Sequence, residues 1–168
     1  MAASDLTDAK ESKALPTISG DTLSGRKLAS LQPELDNKIS LVLVAVRDIA
    51  RPQLELYRTY FEENFASHSA TQVIEVSLIE RLLFRYLSFL MISNLKKVIS
   101  DLDRQDKCLV SNANTDVIVE QLDISNPLFG YAYLVDGRGR IRWRAHGTPA
   151  GEELVILKDL TEKLIKRQ

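Results

Sequence analysis

The octapeptide Ile39-Ser-Leu-Val-Leu-Val-Ala-Val46 carries one polar side chain, Ser40, and shows no alternation of polar and apolar positions. Such a run fits a strand covered on both faces, which requires a parallel or mixed sheet with helices on either side. The rest of the chain has to supply those helices. Pro52 opens one to about Ala66, where Leu54, Tyr57, Phe61 and Phe65 recur at three- or four-residue steps and form a single apolar face. Thr71 to Leu78 mixes β-branched residues with alternation and reads as a second strand. From about Ile79 to Val98 the period becomes helical, Lys107 to Ser111 is long enough only for a short strand, and Asn114 caps a short helix to about Leu122.

Tyr131 to Val135 and Arg140 to Ala145 flank Asp136-Gly-Arg-Gly139, the pattern of a β-hairpin with a glycine-containing turn. Thr148 and Pro149 read as the cap and first-turn proline of a closing helix to about Lys166, with Leu154, Leu157, Leu160 and Leu164 inward. Upstream, Gly20 and Gly25 punctuate a turn-rich stretch that suggests an N-terminal hairpin or meander. Residues 1–13 are small and charged without periodicity and are expected to form a flexible tail, leaving residues 14–168 as one domain. The predicted class is α/β, a central mixed β-sheet flanked by helices.

A chain of 168 residues with 45% hydrophobic and 27% charged residues is large enough for one well-buried core and too short for two full domains. The net charge of -1 excludes the global basicity that drives sequence-independent nucleic-acid binding, so no nucleic-acid partner is expected. Cys108 is the sole cysteine, which removes intrachain disulfides and multi-cysteine zinc sites and suits a reducing compartment. His68 and His146 stand apart with no second ligand at metal spacing, and no metal or cofactor is expected. Met1 to Lys13 holds Asp5, Asp8 and Glu11 and no arginine, so no targeting presequence is read there. The longest apolar tract, Leu82 to Leu95, is interrupted by Arg85, Ser88, Ser93 and Asn94 and falls short of the roughly 20 residues that span a bilayer.

The order of elements resembles the thioredoxin-like fold, in the branch of peroxiredoxins and disulfide reductases. More specifically, Gly20 with Leu23-Ser-Gly25, Gln72-Val-Ile-Glu-Val76, Gly130-Tyr-Ala-Tyr-Leu-Val-Asp136 after Asn126, and Arg140-Ile-Arg-Trp-Arg144 with Gly147 are similar to the mitochondrial ATP synthase assembly factor ten family. The resemblance implies a non-enzymatic chaperone of subunit a of the Fo sector, peripheral on the matrix face of the inner membrane.

A redox member of this fold needs a thiolate at the start of the helix after the central strand, where the positive helix end lowers its pKa. Val46-Arg-Asp-Ile-Ala-Arg-Pro52 occupies that place and has no cysteine, and the position of the redox members' cis-proline aligns with Gly130. Cys108 falls in a short strand, where a buried inert thiol is the expectation and a one-cysteine thiol oxidoreductase or peroxidase the alternative.

Two surfaces are candidates for partner binding. Arg140, Arg142 and Arg144 alternate with Ile141, Trp143 and Ala145, so a period of two places three guanidinium groups on one face, extended by Arg138 in the turn. That face is either a solvated strand surface or a docking surface for lipid headgroups or acidic segments. Trp143 points away from it, which argues against single-stranded RNA. Along Leu82 to Leu95, Leu83, Leu87, Leu90 and Met91 share one helical side, and Leu82, Tyr86, Phe89 and Ile92 an adjacent one. A helix apolar around so much of its circumference is either covered by other helices or offers apolar area to a partner or membrane.

Overall fold

The computed structural model describes residues 4–79, 81–111 and 113–167, with the backbone but not the side chains of 81–88. Among the described residues, fourteen segments of regular structure follow one another. A hairpin of β1 (Gly20–Thr22) and β2 (Lys27–Leu28) leads through the short α1 (Gln32–Leu35) to the central β3 (Ile39–Ala45). A single 3₁₀ turn, Asp48–Ala50, then enters α2 (Arg51–Phe65), followed by β4 (Thr71–Leu78), α3 (Arg81–Val98), α4 (Leu102–Asp106) and β5 (Cys108–Ser111). The chain closes with α5 (Thr115–Gln121), β6 (Tyr131–Val135), β7 (Ile141–His146) and α6 (Gly151–Ile165).

One seven-stranded sheet runs in the order β2-β1-β5-β4-β3-β6-β7. β3 pairs in parallel with β4 and antiparallel with β6, and all seven of its residues are buried. That is the two-sided cover its apolar sequence demands. On one face Val42, Val44, Ile74, Val76, Tyr131 and Tyr133 pack with Leu31, Leu35, Ile118 and Leu122. On the other, Leu41, Leu43, Ala132 and Leu134 meet Tyr57 and Phe61 of α2 and Leu157, Leu160 and Leu164 of α6, and Trp143 is 2% exposed among them. A smaller cluster joins Leu95 and Ile99, at the end of α3, to Leu23, Cys108 and Val110.

Several boundaries differ from the sequence reading. Helix α4 was not expected, although Asp101 caps it by accepting the amides of Asp103 and Arg104. The closing helix starts at Gly151 rather than at Pro149: Ala150 takes the capping position, and its amide donates to the Glu153 carboxylate at 3.2 Å. Residues 5–15, most of them read as a flexible tail, lie along the outer edge of β7. There the Thr7 amide donates to the Arg142 carbonyl, the Ile141 amide to Lys13, and the Leu15 amide to Gly139, each at 2.8 Å. An edge strand is covered in this way.

Candidate functional site

The start of α2 and the loop before β6 meet at one end of the sheet, where the resemblance to redox proteins implies a thiolate and a cis-proline respectively. β3 ends at Ala45, and Arg51 opens α2 with its guanidinium donating to the Asp48 carboxylate at 2.9 Å and to the Ser77 hydroxyl at 2.7 Å. Across from it the Gly130 amide donates to Gln53 Oε1 at 2.9 Å. A Cβ at Gly130 would stand 2.6 Å from the Leu54 side chain and 3.1 Å from the Ala50 carbonyl, so glycine lets the loop close onto the helix. Ile49, Leu128 and Phe129, which the sequence reading did not single out, are exposed around this end of the sheet. Phe129 and Tyr131 both approach the His146 ring, at 5.7 and 5.6 Å between centroids.

Cys108 is fully buried, opposite Glu75 in the β4–β5 ladder. Burial first, and then the negative charge of Glu75, push its thiol up to about 12, against the pull of Arg51 and Arg104 nearby. A thiol in that state is almost wholly protonated at neutral pH and is a poor nucleophile. Beside it Arg104 bridges the carboxylates of Glu75 at 2.6 Å and Glu55 at 2.9 Å, and Arg58 continues the row by bonding Glu55 and Glu62. This ladder ties α4 to α2 over the sheet. Among the described residues no group of histidine, cysteine, aspartate and glutamate side chains could hold a metal ion.

The arginine series departs from simple alternation. Leu134 pairs with Trp143 and Val135 with Ile141, so Arg142 is the extra residue of a β-bulge. The bulge resets the phase of the strand: Ile141 packs on the α5 face, and Trp143 and Ala145 pack on the α2–α6 face. The expected single face of three guanidinium groups is therefore not formed. Arg142 is buried, with 7% of its surface exposed; it donates to the Asp136 carboxylate at 3.0 Å and to the Thr7 carbonyl at 2.8 Å. Arg140 is half-buried and reaches the Ser12 carbonyl at 2.9 Å. Arg144 is exposed on the α5 side and pairs with Asp123 at 3.3 Å, while Arg138 is exposed at the turn.

Arg138, Arg140 and Arg142 line one open groove, together with Lys10 and Arg167 from the two ends of the described chain. Only the tertiary structure brings those last two cations to it. Arg144 lines a different groove, with Asp123, Glu11 and Lys13.

On α3, Leu90 is 56% exposed and Phe89 79% exposed, while Met91 and Ile92 are partly buried against the small cluster around Cys108. Val98 and Leu102 are also exposed beyond them. Leu83 and Leu87, named with Leu90 and Met91 as candidates, lie where side chains are outside those described. The structure does not bring the apolar helix and the hairpin arginines together. α3 packs over β5 and the arginines sit at β7, four strand positions away, or about 19 Å at the usual strand spacing.

Comparison with solved structures gives the architecture. A putative thiol-disulfide oxidoreductase domain from Bacteroides thetaiotaomicron superposes with a TM-score of 0.62 at 16% identity, over 94% of this chain and 97% of that one. A secreted thiol-disulfide isomerase from Corynebacterium glutamicum gives 0.62 at 13%, over 94% and 90%. The fold is thioredoxin-like. Among curated proteins, the mitochondrial ATPase complex subunit ATP10 of Candida glabrata is 27% identical over 168 residues, covering 95% of this chain; the chain spans 60% of that relative's length. The family model described as ATP10 protein matches residues 1–164. With that match running across nearly its whole length, the chain belongs to the ATP10 protein family.

Proposed function

We propose that this protein is a non-enzymatic assembly factor of the mitochondrial ATP synthase that binds the hydrophobic subunit a of the Fo sector, working at the matrix face of the inner membrane. Membership of the ATP10 family and the name of the Candida glabrata relative support the link to the ATPase complex. The observation that carries the non-enzymatic reading is the absence of an accessible thiol. The start of α2 has no cysteine, and the one cysteine of the chain is buried with its pKa pushed up to about 12.

Exposed Phe89 and Leu90 on α3 supply apolar area for a hydrophobic partner, with Leu83, Leu87 and Met91 on the same helix and Lys96 and Lys97 in its last turn. Arg138, Arg140 and Arg142 at one groove, and Arg144 at another, supply separate polar contacts. No helix among the described residues is long and apolar enough to cross a membrane.

The test is co-purification of newly made subunit a with the protein carrying Phe89→Asp and Leu90→Asp. Retention should fall severalfold while thermal unfolding stays within a few degrees; undiminished retention would remove α3 from the interface. The competing reading, a thiol oxidoreductase using Cys108, predicts that Cys108→Ala abolishes the biological activity of a folded protein. The proposal predicts full activity from that variant.

A further inference from the structure

Lys10, Arg138, Arg140, Arg142 and Arg167 converge on one open groove of about 640 Å³ between the N-terminal segment, the β6–β7 turn and the end of α6. Among the described residues lining it, Asp136 is the one carboxylate, and it is already engaged. Its Oδ1 accepts the amides of Arg138 and Arg140, and its Oδ2 accepts from the Arg142 guanidinium. Asp5 lies near Arg167, and its carboxylate is held by Lys163 at 3.2 Å. Arg142 and Arg140 are occupied in holding the carbonyls of Thr7 and Ser12. Lys10, Arg138 and Arg167 remain exposed, and none of the three makes an ion pair among the described residues.

On a protein of net charge -1, a groove lined by five cations and one carboxylate attracts anions by its local field rather than through the charge of the whole molecule. Its shape and lining select among anions. The two apolar residues in the wall with large side chains, Ile39 and Leu164, are buried, so no hydrophobic wedge is available to enter a bilayer. A concave groove also meets a flat membrane poorly. Successive carboxylates along a polypeptide suit it, since each guanidinium presents forked donors to a carboxylate.

We propose that this groove binds an acidic stretch of a partner polypeptide. The inference rests on the binding-protein reading above only in taking the occupant to be a polypeptide. It gives the hairpin arginines a partner chemistry distinct from the apolar contact assigned to α3.

The probe is fluorescein-labelled deca-L-glutamate, titrated at low salt with the full chain. The test variant carries Lys10→Gln, Arg138→Gln and Arg167→Gln, which leaves the Arg140 and Arg142 contacts in place. A control carries Lys27→Gln, Lys107→Gln and Lys158→Gln, the same change of net charge away from both proposed contact surfaces. The wild type is expected to bind, with affinity falling as salt rises; the groove variant should bind about tenfold more weakly and the control within twofold of wild type.

No binding by the wild type, or equal weakening in both variants, would overturn the proposal. So would groove-dependent binding of phosphatidylglycerol vesicles or of inorganic pyrophosphate in place of the peptide. Failure here leaves the subunit a co-purification untouched, and failure of that experiment leaves the peptide titration untouched.

Discussion

Asp136 holds Arg142 across the mouth of the β6–β7 hairpin at 3.0 Å, and the same carboxylate accepts the amides of Arg138 and Arg140 at 3.0 and 3.1 Å. One side chain thus closes the turn and fixes the guanidinium that the bulge has turned out of phase. Arg142 in turn holds the Thr7 carbonyl, so this ion pair adds a side-chain link from the turn and the bulge to the N-terminal segment beside the backbone bonds between them.

Arg142→Gln should therefore lower stability by about 2–3 kcal/mol, the loss expected when one partner of a largely buried, hydrogen-bonded pair is removed. Urea unfolding measures the loss, and amide exchange localises it. The Thr7 amide should exchange much faster in the variant while those of β3 keep their protection. An unchanged Thr7 amide would show that the segment is held without the Arg142 guanidinium, by backbone bonds such as that to the residue 142 carbonyl.

Cys108 should resist alkylation. With its pKa near 12, the folded protein at pH 8 holds on the order of one thiolate in ten thousand, and solvent does not reach the sulfur. Iodoacetamide should label the native chain orders of magnitude more slowly than the chain in guanidinium chloride. Comparable rates would mean that the thiol is accessible.

The same thiol contributes to behaviour at high pH. Its folded pKa is raised above the unfolded value near 8.5, so its contribution is intact below that value and is lost as pH rises from there toward about 12. Cys108→Ala should flatten the decline of unfolding free energy between pH 8.5 and 10.5, measured by denaturant titration at each pH. A decline as steep as that of the wild type would assign the alkaline loss to other groups.

At low pH the ladder on α2 acts with the opposite sign. Hydrogen bonds from Arg58 first, and the charge of Arg104, hold the Glu55 carboxyl below its ordinary value against the effect of burial. Stability from this source is present above the unfolded pKa of about 4.3 and is lost as pH falls through the lower folded value. Arg58→Met should give a protein whose stability declines less steeply below pH 4.5. Parallel acid limbs for variant and wild type would show that Arg58 does not set the Glu55 titration.

Gly20→Ala tests the contact between β1 and β5. A Cβ at residue 20 would stand 2.3 Å from the Val110 carbonyl oxygen, a backbone atom that cannot swing aside. The substitution should cost about 1–3 kcal/mol by overpacking, read from the midpoint of urea unfolding. A change below about 0.5 kcal/mol would mean that the hairpin can shift off the sheet edge without penalty.

Much of this fold was legible because its signals are local. The apolar run of β3, the 3.6-residue stripe of α2, the Asn114 cap of α5 and the Gly-containing turn after β6 each depend on a few neighbouring residues, and each element lies within a residue or two of its expected place. The Asp101 cap of α4 was equally local, but five residues are too few for a hydrophobic period to show. The missing cysteine at the start of α2 was also visible at once, because it is a fact of composition.

The candidate site was legible only in part, because direction and neighbourhood are set by pairing across the sheet. Alternation along Arg140 to Ala145 could not reveal that Val135 pairs with Ile141 and Leu134 with Trp143, and a bulge of one residue is enough to move Arg142 out of step and bury it. Nor could it bring Lys10 and Arg167, from opposite ends of the chain, to the groove beside Arg138, or separate that groove from α3 by the width of four strand spacings. Local side-chain chemistry therefore determined which strands and helices form and that no thiol stands where redox chemistry would need one. The non-local register of hydrogen bonds, which no short window of residues encodes, decided which cations meet, which are buried and which remain open to a partner.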